Sequence, residues 1–121
     1  MIELIEGFPE GVVAFAAKGR VSREDYESVL VPAVESALAR SAAIRCYYEL
    51  GNEFSGMAPG AAWEDFKVGI GHLARWERVA VVTDIEWIRH AMGIFGFLAP
   101  GHYRAFPMSQ ASEARRWIGE R

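Results

Sequence analysis

Two rhythms of polar and apolar positions divide this chain of 121 residues. Short runs that are continuously apolar or alternate with period two mark strands, and stretches repeating every three to four residues mark helices. Residues 1–6 predict a first strand. Phe8-Pro9-Glu10-Gly11 is turn chemistry, and 12–17 predict a second strand closed by Lys18-Gly19, so the chain opens with an antiparallel hairpin. Tyr26, Val29, Leu30, Ala33, Val34, Ala37 and Leu38 then make one face of a helix over 22–40. Ser22 is its expected N-cap, with Glu24 and Asp25 in a first turn that favours acids. Pro32 lies inside the helix and predicts a kink, because it donates no N–H and crowds the preceding turn.

The same reading continues downstream. Residues 44–50 predict the third strand, 51–60 a loop, and 61–73 a helix with Trp63, Phe66, Ile70 and Leu73 on one side. Residues 79–82 form a β-branched apolar run suited to a strand covered on both faces. Thr83-Asp84 is the expected N-cap of a helix over 84–98, which Pro100-Gly101 stops. A short last strand over 103–106 and a helix over 110–118 capped by Ser109 complete the pattern. The order β-β-α-β-α-β-α-β-α demands right-handed crossovers. The expected architecture is therefore α/β: one domain over 1–121, with a largely parallel sheet, an antiparallel N-terminal edge and covering helices.

Composition narrows function mainly by exclusion. A net charge of −3 offers no basic stripe for nucleic acid. The single cysteine, Cys46, rules out an intrachain disulfide and a cysteine-based metal cluster. No apolar run is long enough for a transmembrane segment, and a cytoplasmic protein is expected. His72, His90 and His102 share no metal-ligand spacing, and no metal or cofactor is expected. Glu64-Asp65 diverge by ~100° on a helix and so do not form a catalytic pair. Neither G-x-S-x-G nor G-x-G-x-x-G occurs.

One stretch does not fit an ordinary core. Residues 91–98 place Met92, Ile94, Phe95, Phe97 and Leu98 around more than one side of a helix, beyond what a single core face hides. Surplus apolar surface of this kind points to a partner, a pocket or a membrane.

Several segments resemble the SpoIIAA-like family, relatives of the STAS domains of anti-sigma factor antagonists and sulfate transporter tails, and of Sec14-type lipid-binding domains. They are Ser22-Arg23-Glu24-Asp25-Tyr26-Glu27 with Pro32, the strand 44–50, Phe54-Ser55-Gly56, and Ala62-Trp63-Glu64-Asp65-Phe66-Lys67. Arg78-Val79-Ala80-Val81-Val82-Thr83-Asp84 with Trp87, Arg104-Ala105-Phe106 and Glu113-Ala114-Arg115-Arg116-Trp117-Ile118 complete the set. The resemblance runs nearly end to end and implies a STAS-like fold. It also implies a non-enzymatic binding or regulatory role, in which helix 84–98 and loop 51–60 line an apolar pocket or dock a second copy of the chain. A Sec14-like site for a small apolar or acyl ligand would take Phe54, Met57, Trp63, Trp87, Phe95 and Phe97 as its wall, with Asn52 and Asp84 as polar contacts, and Met92 joins them as a ligand- or partner-binding residue. A homodimer is the expected way to cover the remaining surface. The alternative is a phosphorylation-switched domain that binds a regulatory protein through Ser55, although no aspartate precedes that serine as it does in anti-sigma factor antagonists. An enzyme using Asp84 or Glu53 as a base ranks last, because spacing supplies no second catalytic group.

Overall fold

Alternate burial along the strands sets the layers. In the computed structural model, residues 1–60, 62, 67, 71 and 73–120 are described. Five strands form one sheet: β1 (Ile2–Leu4), β2 (Val12–Val21), β3 (Ile44–Met57), β4 (Trp76–Thr83) and β5 (His102–Phe106). They lie side by side in chain order. β1 runs antiparallel to β2, pairing Ile2 with Ala17 and Leu4 with Phe15. The remaining neighbours are parallel. Phe15, Cys46, Tyr48 and Val81 point to one side of the sheet, and Ala14, Tyr47, Ala80, Val82 and Phe106 to the other, each set in its own apolar cluster.

The first helix, α1, consists of Arg23–Asp25, a π-wound Tyr26–Leu30 and Val31–Arg40. The second, α2, is Glu86–Leu98, and the third, α3, is Ala111–Gly119 after a 3-10 turn at Met108–Gln110. Parallel strands that advance in one direction through right-handed crossovers put their helices on the same face. Accordingly α1 and α2 share the cluster of Phe15 and Tyr48, whereas α3 packs Ala114 and Ile118 against the opposite face. The expected helix over 61–73, with Trp63 on it, lies largely outside the described residues.

Ser22 caps α1 as expected. Its Oγ accepts the N–H of Asp25 at 3.2 Å, and the carboxylate of Asp25 accepts the N–H of Ser22 at 2.8 Å. The hydrogen bond from the Ser22 backbone is the main cause holding the Asp25 carboxyl below its usual range. Its stabilisation is therefore present above the unfolded-state value and fades as pH falls through the lower folded value. Asp25→Asn is expected to lose stability at neutral pH, with the gap to the parent narrowing below about pH 4 in urea titrations.

Four expectations are corrected by the structure. Lys18-Gly19 does not end β2, nor do residues 51–60 form a loop. β2 and β3 continue together, pairing Gly19 with Phe54 and Val21 with Met57 across two register shifts. The extra residues at both shifts lie in β3, and glycines of positive φ stand beside them, Gly19 (φ +60°) on β2 and Gly56 (φ +135°) on β3. Asp84 does not cap α2, whose N-cap is Ile85 without a side-chain bond. Ser109 does not cap α3 either: it lies inside the 3-10 turn, and Gln110 stands at the cap.

Candidate functional site

Only part of α2 faces the sheet. Ile88, Met92 and Phe95 turn inward, and no residue of the helix is fully buried. Phe95 meets Tyr103 of β5 edge-on, with ring centroids 5.0 Å apart. Gly96 lets the helix approach Tyr103, where an added Cβ would stand 3.0 Å from the tyrosine Cβ. Between this helix and the sheet lies a cavity of about 430 Å³. Cys46 and Tyr48 of β3 and Val79 and Val81 of β4 form its floor, while Met92 and Phe95 form its roof.

Its chemistry is almost wholly apolar. Among the described residues, no charged side chain lines it. The hydroxyls of Tyr26 and Tyr48 lie 2.9 Å apart and satisfy each other within the core. Tyr103 also lines the cavity, and its buried Oη has no hydrogen-bond partner among the described residues. Burial first, and the neighbouring Cys46 thiol second, push its pKa upward, so the phenol stays neutral. A cavity of ~150 Å³ holds one benzene, and by that scale this space suits roughly 15–20 non-hydrogen atoms. Such a site binds by removing apolar surface from water, and no general base or metal set is built into the described wall.

The residues expected at the site divide. Met57, Trp87, Met92 and Phe95 line the cavity. Phe54 packs against the same core cluster without lining it. Asn52, Ser55 and Phe97 are exposed, the first two on the extended β3 and the third on the outer side of α2. Trp63 falls outside the described residues. Asp84 is exposed and does not line the cavity: its Oδ1 accepts the Met108 N–H at 2.9 Å, placing a carboxylate at the start of the final helical segment rather than its own. Thr83 takes over locally, its Oγ1 accepting the Ile85 N–H at 3.2 Å. Asp84→Ala is expected to cost about 1 kcal/mol, read as a fall of about 4 °C in Tm, whereas Asp84→Asn keeps an acceptor and most of the stability.

Cys46, Tyr48, Val79, Val81 and Tyr103 were not singled out by the sequence as site residues. The signal was there in the alternation: they occupy the strand positions that face α2.

A sheet of parallel crossovers with an antiparallel first strand, and an apolar chamber under one helix, defines an α/β domain of mixed sheet. The chain belongs to the SpoIIAA-like family, which it matches over residues 12–119. It is similar to a crystal structure from Shewanella loihica PV-4, that of an uncharacterized protein from the DUF3478 family with a SpoIIAA-like fold. The TM-score is 0.77 and the identity 29%, over 98% of this chain and 92% of the other. A comparison with curated proteins finds no match. Among the described residues, no helix is long and apolar enough to cross a membrane.

Proposed function

We propose that this SpoIIAA-like domain is a non-enzymatic binding module that holds one small apolar or acyl ligand between α2 and the sheet. The observation that carries this reading is the cavity itself: about 430 Å³ walled by apolar side chains from α1, β3, β4, β5 and α2. Well-packed interiors leave few voids larger than a water molecule. The apolar walls that face this space are surface a ligand would remove from water, which supports an occupant.

Native mass spectrometry of gently purified protein, with solvent extraction of what it carries, tests the proposal together with titration of an environment-sensitive apolar dye. Stoichiometric retention of an apolar molecule, or saturable dye binding at one site per chain, is the expected result. Protein that carries nothing and binds no dye overturns it. The same intact-mass measurement reads a phosphate on Ser55 directly and so separates the switch reading from the ligand reading.

A further inference from the structure

We propose that the outer face of α2 is the seam of a two-fold homodimer, in which the helix packs antiparallel against its counterpart in a second copy of the chain. Trp87, Ala91, Ile94 and Leu98 recur at i, i+4, i+7 and i+11, the spacing that keeps residues on one side of a helix through three turns. All four are exposed: Trp87, Ile94 and Leu98 by 70%, 65% and 76%, with Ala91 open between them. Phe97, 89% exposed, flanks the stripe. At ~100° per residue, no ionisable side chain falls on the stripe. Glu86 and Arg89 turn away from it, and His90 lies on its margin.

Area and arrangement together select the occupant. The four large side chains present about 600 Å² of surface, taking roughly 200 Å² for a fully exposed large side chain. A standard interface needs about 800 Å² from each partner, so these side chains supply most of one side. The 4-3-4 spacing is symmetric about its midpoint. A two-fold antiparallel pair therefore sets Trp87 against the partner's Leu98 and Ile94 against the partner's Ala91, filling the small position with a large side chain from across the axis. Self-complementarity of this kind is what an isologous interface requires. Trp87 and Ala91 of the stripe also line the cavity, so the seam runs along its edge, whereas Ile94, Leu98 and Phe97 do not line it and their exposure stands apart from the ligand reading.

Sedimentation equilibrium and native mass spectrometry of the full chain test it. The parent protein is expected to be dimeric at micromolar concentration. Ile94→Glu is expected to weaken the dimer by at least ~100-fold, because it would bury an unpaired charge, with an unchanged far-UV circular dichroism spectrum. Ala91→Lys is expected to do the same. Mixing the Ala91→Lys and Ile94→Glu proteins is expected to restore dimers, since the two-fold pairing brings position 91 of one chain against position 94 of the other. A monomeric parent overturns the proposal, whether or not it floats with phosphatidylcholine–phosphatidylglycerol vesicles. So does a dimer indifferent to Ile94→Glu, or a mixture that stays monomeric.

Discussion

Gly101→Ala is expected to destabilise the domain by about 3–5 kcal/mol and leave little folded protein at 37 °C. Gly101 joins α2 to β5 with φ +90°, a conformation that L side chains rarely adopt. The space is also closed. An added Cβ would stand 2.4 Å from the Trp76 carbonyl oxygen and 3.4 Å from that of Glu77. Both are backbone atoms at the start of β4, so relief requires moving the β4–β5 pair, in which Arg78 lies opposite His102. Gly93→Ala is the contrasting case: nothing lies within 4 Å of its Cβ, and the position is helical. It is expected to raise stability by up to about 1 kcal/mol. Paired denaturant titrations check both, and a Gly101→Ala protein as stable as its parent would show that the α2–β5 turn tolerates a Cβ.

Val79→Phe is expected to lower apolar dye affinity at least tenfold, a loss of about 1.4 kcal/mol in binding, while leaving stability unchanged or raised. Val79 pairs with Cys46 and Tyr103 in the sheet and lines the cavity floor beneath α2. A larger side chain there grows into empty space. In a filled core the same substitution would cost about 1–3 kcal/mol through overpacking. The two readouts therefore have opposite signs: lower dye affinity with retained stability marks an empty chamber, and lost stability marks a packed one. Dye binding and urea titration on the same preparation decide between them.

The fold was legible because its main signals are physical and local. β-branched runs separated by amphipathic stretches specify a parallel α/β sheet, and Ser22 with Asp25 announces a helix start that the structure contains. What misled was punctuation. Lys18-Gly19 and Gly51-Asn52 carry turn composition, yet they lie within two long strands paired to each other, and glycines of positive φ at 19 and 56 stand at the register shifts there. Pro32 carried a subtler clue. Tyr26, Leu30, Val34 and Leu38 repeat every four residues, a spacing that drifts round an α-helix but less round a wider turn. The π-wound segment keeps Tyr26 and Leu30 in the same core cluster as Val34 and Leu38.

The candidate site was half legible, for a reason of a different kind. Composition alone shows that α2 carries too many apolar residues, and Ile94, Phe97 and Leu98 are indeed exposed. Which of them turn inward depends on how the helix docks, and the sequence does not state that angle. Asp84 is the sharpest example. Its position before a helix reads as a cap, but the acceptor reaches across to Met108, a residue 24 positions later. Long-range hydrogen bonds leave no periodic trace.

Cys46 adds a practical consequence. It is the sole thiol of the chain, is almost wholly enclosed, and belongs to the chamber floor. A small thiol reagent must therefore travel the path a guest would travel, and its modification rate clocks how often that path opens. Guests that slow the reaction occupy the chamber; those that leave it untouched bind elsewhere. The native protein thus carries its own stopwatch, with no engineered label.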